Sequence, residues 1–168
     1  IISRKDAIKK GLVRYFTGKP CPRGHISERT IYGNACLTCR AEKSREKYVS
    51  KVLSFVKPSK FKRLKIVVNC GNGAVGPTFR ALEQRINELT DKVEFVKQYE
   101  EVDGNFPNGV PNPLDPGMRQ PTTNKVIAEK ADFGCAFDGD FDRCFFFDEN
   151  GSFIEGEYMV ALFASWFL

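Results

Sequence analysis

Apolar residues gather in three short runs separated by helix-period segments. Leu64–Asn69 is rich in Val and Ile, Val93–Gln98 repeats the pattern more weakly, and Ala131–Phe137 is small and apolar. Each is four to eight residues long and bounded by turn residues, as buried strands are. Between the first two runs Pro77 opens a helix that reaches about Leu89, and Thr122–Lys130 reads as a short helix before the third. Strands joined by helices imply a right-handed α/β layer with a mixed, mostly parallel sheet. Cys144–Phe147 reads as a fourth strand, which Asp148-Glu-Asn-Gly151 turns back into Ser152–Ile154 as a hairpin. From Glu157 a helix carrying Met159, Val160, Leu162, Phe163, Trp166 and Phe167 begins. The first sixty residues are different. Ser3 caps a short basic helix with Asp6 at the N3 position and Gly11 near its end. Arg40–Lys47 reads as a charged helix, and Val52–Val56 with Lys57–Lys60 as a helix end and linker.

Charge follows the same division. Residues 1–63 hold 17 Lys and Arg against 4 Asp and Glu, a net +13, whereas residues 64–168 hold 9 against 17, a net −8. Such asymmetry suggests two units of different origin, the first suited to polyanions. The basic residues of Arg40–Lys47 either meet nucleic-acid phosphates or form a solvated face; charge alone supports only nonspecific binding. No secretory signal is visible, and the longest apolar run, Tyr158–Leu168, is 11 residues, too short for a bilayer. No membrane association is expected, and six cysteines without a secretory signal favour metal ligands and free thiols in a cytoplasmic setting. The chain opens on Ile1 and stops inside an apolar run, so both ends read as cut from something longer.

Two clusters carry candidate chemistry. Cys21-Pro-Arg-Gly-His25 and Cys36-Leu-Thr-Cys39 supply four soft or borderline ligands in two tight pairs, the set that tetrahedral Zn²⁺ takes. The bland reading is ordinary thiols plus a surface histidine, but a segment so small and polar folds poorly without a metal. The second cluster is Asp138-Gly-Asp-Phe-Asp-Arg143. Three carboxylates at i, i+2 and i+4 repel one another unless a cation sits among them. With no His or Cys among them they favour Mg²⁺ or Ca²⁺. A solvated acidic turn is the bland alternative. An EF-hand fits Asp138, Asp140, Asp142 and Glu149 but fails where glycine is needed and Arg143 stands, and its flanks are strands. The remaining reading is an Mg²⁺ site for phosphate chemistry, with Arg143 beside it to hold phosphate oxygens. Gly71-Asn-Gly-Ala-Val-Gly76 also fits a dinucleotide-binding turn, but no clear acidic residue ends the next strand, and a sharp strand-to-helix turn explains the glycines as well. Glu100–Pro121, with five prolines and five Asn or Asp, reads as a long ordered loop.

Four stretches together resemble the second domain of the α-D-phosphohexomutases: Leu64–Gly76, Asp103–Pro113, Ala131–Arg143 and Phe153–Gly156, with Tyr48–Phe61 similar to the lead-in. The resemblance implies a three-layer α/β/α domain that serves phosphoryl transfer on hexose phosphates. It matches Asp138, Asp140 and Asp142 to the family's Mg²⁺ ligands and Arg143 to its adjacent active-site arginine. It also implies a serine nucleophile in a Thr-Ala-Ser-His-Asn-Pro segment, which these residues do not contain, so a fragment without turnover of its own is expected. Tyr15–Arg40 resembles the cysteine-rich part of phage proteins related to recombination endonuclease VII, through Tyr15–His25, Arg29 and Cys36–Cys39. After Cys39 there is no histidine, so the resemblance stops short of that family's nuclease site. The expected organisation is a basic zinc-binding segment at 1–47, a linker at 48–63, the phosphohexomutase-type domain at 64–156, and the start of a following domain at 157–168. The competing reading is a zinc-containing nucleic-acid-binding protein with an α/β scaffold.

Overall fold

The computed structural model describes residues 1–167, which fall into two units, Ile1–Phe55 and the residues from Val56 onward. In the first unit, α1 (Arg4–Lys9) is capped by Ser3, whose Oγ accepts from the Asp6 N–H and donates to the Asp6 carboxylate at 2.6 Å. The Ser3 cap expected from the sequence is therefore formed, with the Asp6 carboxylate bonded to the Ser3 hydroxyl rather than to its backbone N–H. A two-residue pairing of β1 (Arg14–Tyr15) with β2 (Arg29–Thr30) closes over a small cluster of Ala7, Tyr15 and Ile31. So small a core buries little apolar area. α2 (Leu37–Leu53) then runs without interruption through the charged segment. The boundary expected after Lys47 falls within this helix, and the division between the units lies at Phe55 and Val56.

The second unit is built on a five-stranded sheet in the order β4-β3-β5-β6-β7, comprising β3 (Leu64–Asn69), β4 (Val93–Gln98), β5 (Phe133–Phe137), β6 (Cys144–Phe147) and β7 (Phe153–Ile154). The β4-β3-β5 half is parallel and the rest antiparallel. The sheet is mixed as expected: the links 138–143 and 148–152 are too short for a crossover, so the strands they join pair antiparallel. Adjacent residues of β4 show how the helices lie. Phe95 meets Phe79 of α3 (Gly76–Leu89) edge-on, with ring centroids 5.1 Å apart. Val96 points the other way and packs on the cluster of Val67, Val126, Ala131, Ala136 and Phe147, of which Val126 belongs to α4 (Gln120–Glu129). Successive strand side chains face opposite sides. α3 and α4 therefore cover opposite faces, which makes three layers and two right-handed crossovers.

β3 is buried at every residue from Ile66 to Asn69, so a continuous apolar run served better than alternation here. Its flanking strands leave in opposite directions from its carboxyl end, the crevice in which open α/β sheets hold their sites. Three loops meet there: 70–75 after β3, 99–119 after β4 and 138–143 after β5. A final helix, α5 (Gly156–Phe167), exposes Tyr158, Val160, Leu162, Phe163 and Trp166. No helix among the described residues is long and apolar enough to cross a membrane.

Candidate metal centres

The loop after β5 brings Asp138, Asp140 and Asp142 together, with one oxygen from each within 4.8 Å of the others. Asp138 is buried and the other two are exposed. The loop is organised from Asp138 outward. Its Oδ1 accepts from the backbone N–H groups of Asp142 (3.2 Å) and Arg143 (3.1 Å), and its Oδ2 accepts from Arg143 Nε at 2.7 Å. Burial acts upward on the Asp138 carboxyl, but the Arg143 backbone N–H, Asp142 and the Arg143 guanidinium hold it below the usual carboxylate range. Asp142 is raised, first by hydrogen bonding to Asp138, then by burial and by the charges of Asp140 and Asp138. Arg143 Nε also lies 3.3 Å from Asp142 Oδ1, and its Nη1 lies 3.5 Å from Asn112 Oδ1. Phe141 holds the turn with a left-handed backbone (φ 69°), its ring edge-on to Phe137 at 5.2 Å.

The glycine turn after β3 supports this loop from the side. A Cβ on Gly73 would lie 2.8 Å from the Gly139 carbonyl oxygen, so only glycine lets the two loops touch. The Ala74 N–H then donates to that oxygen at 3.0 Å. Asn72 ties the third loop down: its N–H donates to Tyr99 O, its Nδ2 to Glu101 O, and its Oδ1 accepts from Asn108 Nδ2. The stretch Glu100–Pro121 is thus an ordered loop. Asn72 and Asn112 lie in the stretches Leu64–Gly76 and Asp103–Pro113, but the sequence does not show their roles, which appear only where loops 30 to 40 residues apart converge on them.

In the first unit Cys21, His25, Cys36 and Cys39 each place one ligand atom within 4.8 Å of the other three. Cys21 and His25 lie on one tight turn, closed by Cys21 N–H to His25 O at 2.9 Å and Gly24 N–H to Cys21 O at 2.8 Å. Cys36 is the N-cap residue of α2, and Cys39 lies in its first turn. Arg29 donates to the carbonyls of Lys19 and Pro20, anchoring the segment that enters the first pair. Sγ of Cys21 and Cys39 are 3.6 Å apart, and His25 Nδ1 is 3.2 Å from Cys39 Sγ. Ligands at 2.3 Å around a tetrahedral centre stand about 3.8 Å apart, so the spacing fits one. Burial acts upward on the Cys21 thiol, yet hydrogen bonds at His25, Arg23, Cys39 and Cys36 bring it down to about 7. Burial, then Cys21 and Cys36, push Cys39 up to about 11. Crowded sulfurs that cannot all ionise alone are what a cation relieves.

Comparison with known proteins adds the family. The model of the phosphoglucomutase/phosphomannomutase α/β/α domain II matches residues 46–151. The chain belongs to the phosphoglucomutase/phosphomannomutase family. It is 55% identical over 121 residues to a phosphomannomutase of Vibrio cholerae serotype O1, covering 72% of this chain and 26% of that one. It is 52% identical over 124 residues to a phosphomannomutase of Escherichia coli strain K12, covering 74% and 27%. A solved phosphoglucomutase/phosphomannomutase family protein from Burkholderia thailandensis superposes with a TM-score of 0.59 at 33% identity, over 71% of this chain and 25% of that one. The chain therefore spans about a quarter of the length of these relatives. The α/β unit is the second domain of a phosphohexomutase, as its motifs imply.

Proposed function

We propose that residues 64–156 supply the cation-holding loop of a phosphohexomutase, an isomerase of carbohydrate metabolism that moves a phosphoryl group between positions of a hexose phosphate. The observation that carries this reading is the convergence of Asp138, Asp140 and Asp142 at the carboxyl end of β5, inside a domain of that family. The three carboxylates suit Mg²⁺, a hard cation that takes oxygen ligands and keeps positions for phosphate. When bound, Mg²⁺ would offset charge on the transferring phosphate oxygens. Arg143 is the catalytic residue of this proposal. Its Nε is occupied by Asp138 and Asp142, which fixes the guanidinium plane and leaves its Nη edge for phosphate oxygens. Asn112 orients that edge through Nη1. The exposure of Asp140 and Asp142 keeps the cation accessible to substrate, while buried Asp138 keeps the loop in place.

The Cys21, His25, Cys36 and Cys39 cluster is read as a structural Zn²⁺ site, since its spacing and donor set suit a closed tetrahedral centre and the surrounding core is small. Nothing beyond positive charge favours nucleic-acid binding by this unit. The setting that accompanies the reading is cytoplasmic. A polypeptide of these residues alone does not carry the serine segment that the resemblance implies, so a coupled assay on it with glucose 1-phosphate should show background only. The decisive test is a chimera in which residues 64–156 replace the matching segment of the Vibrio cholerae phosphomannomutase. Activity that is lost on Asp142→Asn supports the reading. A folded chimera without activity, or one indifferent to that substitution, overturns it.

A further inference from the structure

Beside the cysteine cluster stands a carboxylate that neither metal reading uses. Glu42 lies three residues after Cys39 on α2, so the helix turns both side chains toward the same side. Its Oε1 is 3.3 Å from His25 Nε2, while His25 Nδ1 is 3.2 Å from Cys39 Sγ. The two ring nitrogens therefore face different partners: Nδ1 the sulfurs, Nε2 the carboxylate. The second carboxylate oxygen, Oε2, is shut off from solvent, accepts no hydrogen bond among the described residues, and is paired by charge with Arg23 Nη1 at 3.0 Å. Arg23 sits between Cys21 and His25 on the turn that carries both. A line of contacts thus runs from Arg23 through Glu42 to His25 and ends at the cluster, and it joins the first ligand pair to the helix that bears the second.

We propose that Glu42 is a positioning residue of this centre: it accepts the Nε2 proton of His25, fixes the tautomer in which Nδ1 is the metal ligand, and is itself held by Arg23. The proposal rests on the reading of Cys21, His25, Cys36 and Cys39 as a zinc site. The chemistry is general. A ligating imidazole needs one nitrogen bare and the other protonated, and a carboxylate on the protonated side selects the tautomer, orients the ring and raises its basicity. A glutamate that merely paired with Arg23 on the surface would have no need to point its other oxygen at the ring.

His25 is the only histidine in the chain, so its tautomer can be read without assignment ambiguity. A long-range ¹⁵N–¹H spectrum of the zinc-loaded full chain should show a protonated Nε2 and a metal-bound Nδ1. A metal-bound Nε2 overturns the proposal. In competition with a chromophoric chelator, Glu42→Ala should weaken zinc tenfold or more, about the loss expected of such a partner. Glu42→Gln, whose amide oxygen still accepts the Nε2 proton, should recover most of it. Unchanged affinity in Glu42→Ala, or a Gln variant as weak as the Ala variant, overturns the role. If Glu42→Ala does not fold, the wild-type spectrum and the Gln variant decide. Failure of the zinc reading looks different: the wild type holds no zinc, or Cys39→Ser holds it as tightly as the wild type.

Discussion

Arg143 Nε lies 2.7 Å from Asp138 Oδ2, so the one buried carboxylate of the acidic loop is neutralised from within the loop rather than left waiting for a cation. Asp138 has few acceptor sites to spare, because its Oδ1 already receives two backbone N–H groups. The metal-free loop is therefore pre-formed around an internal ion pair, and the two exposed carboxylates carry the residual repulsion.

Removing the guanidinium exposes that dependence. Arg143→Ala leaves a buried carboxylate without its cation, held only by the backbone donors and Asp142, and the Asp138 pKa should rise. Because a depressed carboxylate contributes stability above its unfolded pKa and loses it as pH falls through the folded one, the variant should melt lower at pH 7 and converge with the wild type in acid. Thermal melts at pH 7 and pH 3 measure this. A deficit that is equal at both would mean that the ion pair is not its source.

Gly76 opens α3 where the chain crosses β4's outgoing loop. A Cβ there would stand 2.0 Å from the Glu100 carbonyl oxygen, and a backbone atom cannot swing aside as a side chain can. Gly76→Ala must displace the turn or the 99–119 loop, and should cost about 1–3 kcal/mol, the range of forced overpacking. Denaturant unfolding of the second unit measures it. A loss below about 0.5 kcal/mol, the usual size of a neutral surface change, would show that the turn yields freely.

Glu129 gives a second pH signature, away from the acidic loop. Hydrogen bonds from Lys125 and Lys65, each at 2.8 Å, draw its pKa from 4.5 down to about 2. The folded pKa is the lower one, so the stabilisation is complete above about pH 4.5 and disappears as pH falls through 2. Glu129→Gln should lower the melting temperature at pH 7, and the difference from the wild type should close near pH 2. A deficit that persists unchanged at pH 2 would assign the loss to packing.

What the sequence made legible was local. Leu64–Asn69 and the run before Asp138 announce buried strands by composition, and three carboxylates around a glycine announce their own conflict. The edges were less legible. β5 starts at Phe133 rather than Ala131 because Lys130 adopts a left-handed cap and the Ala131 N–H bonds back to Val126 O. α2 is one helix from Leu37 to Leu53, where charge and apolar periodicity read separately gave two pieces. Contacts that depend on distant loops were not legible at all. Neither the Asn72 to Asn108 bond nor the pairing of His25 with Glu42 follows from spacing, since each needs the fold to bring its partners together.

The acidic loop should bind Mg²⁺ weakly in this chain. Mg²⁺ demands near-octahedral oxygen geometry and sheds water reluctantly, so it commonly relies on a substrate phosphate to complete its shell. Here Asp138 is already engaged by Arg143 and two backbone donors, which leaves Asp140 and Asp142 as the freer ligands. A dissociation constant on the order of millimolar, about −4 kcal/mol, is expected from calorimetry. Asp140 is the residue to test, because it is exposed and its charge helps raise Asp142. Asp140→Asn removes one of three crowded anions, so Mg²⁺ binding should weaken further while the metal-free melting temperature stays level or rises. Melts with and without Mg²⁺ separate the two effects: the wild type should gain stability with the cation, and the variant should gain less. Micromolar affinity in the wild type, or a variant that melts much lower without metal, would contradict a loop whose exposed carboxylates repel one another.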